Sequence, residues 1–168
     1  MKSHLLVLSL FLCGFISIVS LSITSCKSTE NKVNVSVQDS LLTSITRRPC
    51  FGKCPVFVFA VYKSGYATYF GEQNVANKGL FETRLSAEIV RLITQEIRTA
   101  KIESLDTLYN NKYLADYPNW NIAVCDKQQK KMIKVNHENP PTELVNYAKL
   151  LDKISNEALW KSVNDTNE

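Results

Sequence analysis

The chain has 168 residues, of which 45% are hydrophobic and 21% charged, and its formal net charge is +4. This composition is typical of one globular domain and excludes disordered and repeat architectures. The small positive charge and the absence of aromatic residues within the basic segment 127–134 argue against nucleic acid as a partner.

The first 25 residues have the pattern of an export signal. Lys2 precedes a long apolar run, and small residues lead to Cys26. This approach resembles the lipobox of bacterial lipoproteins. The resemblance implies cleavage after residue 25 and acylation of Cys26, and two or three acyl chains would give a stable membrane anchor. The alternative is an uncleaved transmembrane helix over Leu5–Ile23.

Residues 26–40 are predicted to be the lipidated cysteine and a polar tether. Lys27 replaces the aspartate that retains such lipoproteins in the inner membrane, so the lipoprotein resemblance implies the outer membrane, facing the periplasm. Val33, Val35 and Val37 alternate with polar residues, which leaves an edge strand as the alternative for part of this segment.

Residues 41–160 are predicted to form a single α+β domain. Period-two patterns and turn residues indicate a strand meander, which is followed by a helix capped by Ser86, a second hairpin, and a helix that starts at Pro140 and Pro141. Residues 101–118 are predicted to be a surface loop, and residues 161–168 a frayed tail. The order favours a mostly antiparallel sheet with its helices on one face. The predicted strands are Leu41–Arg47, Val56–Tyr62, Tyr66–Gly71, Leu80–Leu85, Asn119–Asp126 and Lys131–His137.

The segment PCFGKCP sets Cys50 and Cys54 in a short loop that is fenced by prolines. Two thiols of an exported domain are expected to pair, and bridged Cα atoms lie about 4.4–6.8 Å apart, so this loop has to turn. Gly52 can take the positive φ that such a turn requires. The preferred prediction is a Cys50–Cys54 disulfide with Cys125 packed as an inert thiol, although pairing of Cys125 with either cysteine stays open.

A metal or thiol-redox site is the competing interpretation. Cys50, Cys54 and His137 would suit copper(I) or zinc. Together with Pro55, they resemble the motif of the thioredoxin-like Sco copper chaperones. In that family a helix follows the motif, whereas here the sequence predicts a hairpin.

A broader resemblance covers most of Leu41–Ile154. The segment Arg47–Pro55, with the pattern R-x-P-C-F-G-x-C-P, together with the hairpin and the serine-capped helix that follow, resembles a family of small Gram-negative bacterial lipoproteins known only as a domain of unknown function. The resemblance implies this fold and an envelope location, and it brings no catalytic residues.

No nucleophile elbow, phosphate loop or zinc triad is present in the sequence, so a non-enzymatic function without a cofactor is predicted. A binding or structural module is expected instead. Tyr109, Tyr113 and Tyr117 form an aromatic segment that could contact an envelope protein or a glycan, and ordinary packing is the alternative.

Overall fold

The computed structural model of the chain describes residues 39–113, 118–126 and 129–163. The predicted signal, Cys26 and the predicted tether up to residue 38 therefore lie outside the described residues, as do Tyr117 and residues 164–168. The predicted α+β class is confirmed: an eight-stranded, mostly antiparallel sheet packs with two helices. No helix within the described ranges has the length and apolarity needed to cross a membrane.

The strands of the sheet are β1 Leu41–Arg47, β2 Val56–Tyr62, β3 Tyr66–Gln73, β4 Gly79–Arg84, β5 Leu108–Asn110, β6 Trp120–Asp126, β7 Gln129–Asn136 and β8 Lys161–Ser162. Their order in the sheet is β5-β7-β6-β1-β2-β3-β4-β8. All neighbouring strands are antiparallel except β5 and β7, which are parallel. The first strand therefore lies in the interior of the sheet.

One face of the sheet is covered by the helices α1, Ala87–Thr99, and α2, Thr142–Glu157. Ile45 is central on this face, because it pairs with Phe59 of β2 and with Ile122 of β6. These residues belong to a single buried core that includes side chains of both helices. Burying one face explains the period-two pattern of the strands.

The opposite face of the sheet, called here the open face, is partly exposed. Val58 pairs with Phe70, and Phe70 pairs with Leu80, so the three form a row across β2, β3 and β4. Their side chains are 39–46% exposed. The apolar residues on both sides of β2 thus have unequal surroundings: Phe59 is fully buried, whereas Val58 remains in contact with solvent.

α1 begins after Ser86, as predicted, and α2 begins at Thr142, directly after the predicted start at Pro140 and Pro141. Ser86 Oγ accepts a hydrogen bond from the N–H of Ile89 at 3.3 Å, which caps α1. Leu92 of α1 is 41% exposed, whereas Ile93 and Ile97 of the same helix are buried. In α2 one apolar stripe is buried, and it consists of Leu144, Tyr147, Ala148, Leu151 and Ile154.

Two short strands were not predicted. Within the predicted loop 101–118, Ile102–Ser104 form a 3₁₀ turn and Leu108–Asn110 form β5. Lys161 and Ser162 form β8 beside β4, so the sheet continues past the predicted domain boundary at residue 160. Strands of two or three residues are too short to show a period-two pattern, and they are defined by backbone pairing with an existing edge.

Candidate functional site

The disulfide loop lies between β1 and β2. The structure joins Cys50 to Cys54 with a Cα–Cα separation of 5.8 Å, and Gly52 has φ +143°, as the turn in this loop requires. Phe51 at the tip is 88% exposed. The predicted disulfide staple therefore fits the structure, and an aromatic side chain projects from it into solvent.

Hydrogen bonds hold this loop against two other segments. The N–H of Arg48 donates to the carbonyl of Asn119 at 2.9 Å, at the start of β6. The side-chain amide of Asn74, in the turn between β3 and β4, donates to the carbonyl of Cys54 at 2.9 Å. Three segments distant in sequence thus meet at one end of the sheet.

A cleft of about 520 Å³ opens where these segments meet. We call it the loop cleft. Its walls come from the disulfide loop, the β3–β4 turn, residues 118–119 and the C-terminal half of α2. It is lined by Arg47, Arg48, Cys54, Pro55, Phe57, Tyr69, Asn74, Val75, Ala76, Asn77, Pro118, Asn119, Asp152, Ser155 and Asn156.

A charged pair fixes one wall of the loop cleft. The guanidinium of Arg47 donates from Nε to Oδ1 of Asp152 at 3.1 Å and from its Nη2 to Oδ2 of the same carboxylate. The guanidinium also lies 5.1 Å from the centroid of the Trp120 ring. A bidentate pair stacked on an aromatic ring is held in one orientation, so Arg47 is a fixed part of the wall.

Stacked aromatic side chains form the floor of the loop cleft. Phe57 and Tyr69 stack with their ring centroids 5.2 Å apart, and Trp160 lies 5.4 Å from Tyr69. Burial raises the pKa of Tyr69 above its usual value, and its hydroxyl, which is neutral at physiological pH even without this shift, is able to donate. Trp160 is in turn fixed by a hydrogen bond from Nε1 to the carbonyl of Ser155 at 2.8 Å.

Gly71 allows the β3–β4 turn to fold back over β3. A Cβ atom at this position would collide with the carbonyl oxygen of Asn77, which belongs to the turn that lines the cleft. The close approach of these two backbone segments requires a residue without a side chain.

The loop cleft lies at the end of the domain opposite to the first described residues. Asp39 and Ser40 contact the β2–β3 turn. The carbonyl of Ser40 accepts a hydrogen bond from the N–H of Lys63 at 2.9 Å, and the carboxylate of Asp39 accepts hydrogen bonds from the N–H and the hydroxyl of Ser64. From there β1 runs to Arg47, at the cleft. The length of β1, about 20 Å for seven residues, separates the two ends.

The three candidate metal ligands are not brought together. Cys50 and Cys54 are bonded to each other, and His137 follows β7, where its Nδ1 accepts from the N–H of Asn139 at 2.9 Å. Within residues 39–113, 118–126 and 129–163, no three His, Cys, Asp or Glu side chains form a metal-binding group. Cys125 is a free, half-buried thiol on β6.

The candidate tyrosines have different surroundings. Tyr109 is half-buried against the core, and its hydroxyl accepts from the N–H of Asp106 at 3.0 Å. Tyr113 is 82% exposed, with Lys112 Nζ 5.1 Å from its ring centroid. Tyr109 thus has a packing role, and Tyr113 is available to a partner; Tyr117 lies outside the described residues.

Sequence reasoning missed most of the loop cleft. Asp152 lies on α2 between residues of its apolar stripe, and the asparagines of the β3–β4 turn show no pattern in the sequence beyond turn formation. Arg47 was singled out solely within the R-x-P-C-F-G-x-C-P pattern. The single sequence contains no signal that pairs Arg47 with Asp152, because 105 residues separate them.

The loop cleft combines a fixed ion pair, a neutral phenol, amide side chains and an aromatic floor. These groups suit binding of a polar ligand through hydrogen bonds and ring contact. Among the described lining residues no nucleophile is paired with a base, and Ser155 Oγ donates to the carbonyl of Asp152 at 2.9 Å.

Comparison with known proteins gives one family. Residues 42–155 match the family described as Domain of unknown function (DUF6438). No curated protein matches the chain.

Proposed function

We propose a function for this chain, which belongs to the DUF6438 family of domains of unknown function, from its own residues. The chain acts as a non-catalytic binding module of the cell envelope. A lipid on Cys26 anchors it, most favourably at the periplasmic face of the outer membrane, and the polar segment 27–40 serves as its tether. The ligand is an envelope protein or glycan that enters the loop cleft.

The observation that carries this proposal is the placement of the loop cleft. The tether joins the domain at Asp39 and Ser40, and the cleft lies at the far end of β1. Attachment at this end keeps the cleft clear of the attachment point, so that a ligand can enter it. The lipobox pattern before Cys26 supports the anchor, and the disulfide supports an oxidising compartment.

The anchor is tested by labelling Gram-negative cells that express the full chain with palmitate. The wild-type protein should incorporate label, fractionate with outer membranes and migrate in gels as a cleaved, lipidated chain. Cys26→Ser should lose the label and should migrate differently from the wild type. A Cys26→Ser protein that stays in the membrane with unchanged mobility would instead support the uncleaved helix over Leu5–Ile23.

The binding role is tested by site-specific photo-crosslinking in the same cells. A photoreactive residue replaces Ala76, which lines the loop cleft, and in a matched control it replaces Gln95, an exposed residue of α1. A crosslinked product from position 76 that is absent from position 95 is expected. Equal products from both positions would contradict a role for the cleft. A third probe at Tyr113 tests the aromatic segment 109–117 as a second partner surface.

A further inference from the structure

A second pocket of about 290 Å³ lies beside the loop cleft. We call it the amide pocket. It shares Arg48 and Asn119 with the loop cleft, so Arg48 lies on the boundary between the two cavities. The polar side chains that line the amide pocket are Arg48, Asn110, Asn119, Asn121, Lys134 and Asn136.

The amide pocket is positively charged. Arg48 and Lys134 are its charged lining residues, and none of its described lining residues is acidic. Neither cation forms a salt bridge with a described carboxylate. Two cations without a carboxylate partner attract an anionic group.

Arg48 is oriented for such a group. With the amide of Asn121 turned so that its nitrogen donates to the Trp120 carbonyl at 3.1 Å, its oxygen accepts from Nε of Arg48 at 3.3 Å. The N–H of Arg48 is held by the carbonyl of Asn119. These bonds fix the side chain at its base and leave the two Nη groups available to a ligand, in the fork geometry that matches an oxyanion.

The asparagine amides indicate a second property of the ligand. Asn136 Nδ2 donates to Oδ1 of Asn110 at 3.4 Å, and both residues line the pocket. Asn136 Oδ1 is buried and has no donor among the described residues, and because it is closed off from solvent it offers no contact to a ligand. The other amide groups of the pocket bond hydroxyl groups well, since each amide carries donors and an acceptor.

We propose that the amide pocket binds an acidic sugar, with its oxyanion on Arg48 and Lys134 and its hydroxyls on the asparagine amides. The shared chemistry is an oxyanion beside several hydroxyls. A uronic acid and a sugar phosphate both provide it, and they are separated by the test. The proposal does not rest on ligand binding in the loop cleft, although the two cavities share Arg48 and Asn119, and it requires no membrane anchor.

The experiment uses the full mature chain in detergent, labelled with ¹⁵N on asparagine. The chemical shifts of the side-chain amides distinguish the two cavities. Asn110, Asn121 and Asn136 report on the amide pocket, and Asn74, Asn77 and Asn156 report on the loop cleft. The probes are glucuronic acid, glucose 6-phosphate, glucose, and inorganic phosphate.

Shifts of Asn121 and Asn136 by glucuronic acid support a carboxylate source, and shifts by glucose 6-phosphate support a phosphate source. Arg48→Gln and Lys134→Gln should each weaken this binding about tenfold, since each removes a charged hydrogen-bond donor. Lys130→Gln is the matched control, because Lys130 is exposed on the same strand and face outside the pocket and should leave affinity unchanged.

Equal shifts with neutral glucose would overturn the role of charge, and equal shifts with inorganic phosphate would overturn the role of the hydroxyls. An absence of shifts at Asn121 and Asn136 with every probe would overturn the site itself. Shifts confined to Asn74 and Asn156 would overturn the amide pocket while leaving the loop cleft as a binding site.

Discussion

Arg47 and Asp152 form a bidentate ion pair between the last residue of β1 and the middle of α2. Their side chains are 20% and 29% exposed, so the pair is only partly shielded from water. It connects the central strand of the sheet to the helix that covers it, at the wall of the loop cleft.

Replacing Asp152 by Asn should lower the free energy of unfolding by about 1–2 kcal/mol, since a charged hydrogen bond is lost at a partly exposed site. Urea denaturation measures the change. Lys153→Gln is the control, because Lys153 is exposed on the next position of α2 and has no ion pair among the described residues. A double-mutant cycle with Arg47→Met isolates the interaction energy between the two side chains from the other effects of each single substitution. An interaction energy of zero would contradict the predicted role of the pair.

Reduction of the Cys50–Cys54 bridge should lower the free energy of unfolding by about 2 kcal/mol or less, because the closed loop is short. Intact mass with and without reduction and alkylation checks the bridge, and metal content is measured on the same sample. Free thiols with stoichiometric copper or zinc would favour the metal interpretation with His137, and Cys125→Ser controls for the remaining thiol.

Stability should fall as pH rises above about 10, the ordinary pKa of tyrosine. Tyr147 is buried and donates to Oγ1 of Thr43 at 2.9 Å, and burial raises its pKa. The unfolded chain then loses this proton at a lower pH than the folded chain, so ionisation favours unfolding. Below the ordinary pKa both states hold the proton, and this residue contributes no pH dependence.

The measurement is urea denaturation at several alkaline pH values for the wild type and Tyr147→Phe. Tyr69 shifts in the same direction, so only the difference between the two proteins isolates Tyr147. The variant should show a shallower loss of stability, and parallel curves would contradict the prediction.

Phe59→Ala and Phe70→Ala make the same chemical change on opposite faces of adjacent strands. Phe59 is fully buried, so its loss should cost about 3–5 kcal/mol of unfolding free energy. Phe70 is 46% exposed on the open face, and its loss should cost well under half as much. If the two variants lost comparable unfolding free energy, Phe70 would be buried in solution, and the open face would not be exposed there.

Gly71→Ala should displace the β3–β4 turn and deform the loop cleft, because the new Cβ would meet the carbonyl of Asn77. The expected readouts are a loss of about 1–3 kcal/mol in stability and altered amide resonances of Asn74 and Asn77. Ala76→Gly, an exposed change in the same turn, is the control for added backbone freedom. Unchanged resonances in Gly71→Ala would contradict the close approach.

The sequence was sufficient for the parts of the fold that local physics determines. A strand with one buried face shows period two, as in Trp120, Ile122 and Val124 of β6, all of which are buried. Ser86 marks the start of α1 because its side chain satisfies a backbone N–H within the same turn. Such signals extend over a few residues and can be read without the rest of the chain.

The loop cleft depends on contacts that no local pattern encodes. The side chain of Asn74 donates a hydrogen bond to the carbonyl of Cys54 in the disulfide loop, and the carboxylate of Asp152 accepts one from Arg47 of β1. In both pairs the partners are far apart in sequence. The sequence predicts helices on one face of the sheet, but it does not predict the exposed apolar row Val58, Phe70 and Leu80 on the other face, since β2 carries apolar residues on both sides. A single sequence does not show which face the two available helices will cover.

The path of β1 has a mechanical consequence. The strand begins beside Asp39 and ends at Arg47, which lines the loop cleft, and Arg48 directly after it lines both cavities. If the proposed membrane anchor and a captured ligand pulled on the domain, the force would therefore act along β1. The hydrogen bonds that join β1 to β2 and to β6 would then be loaded together, in shear, rather than opened one bond at a time. The anchored domain would then resist tension as a linker between two surfaces, and optical-tweezer pulling from its N-terminus against a crosslinked ligand would measure that resistance.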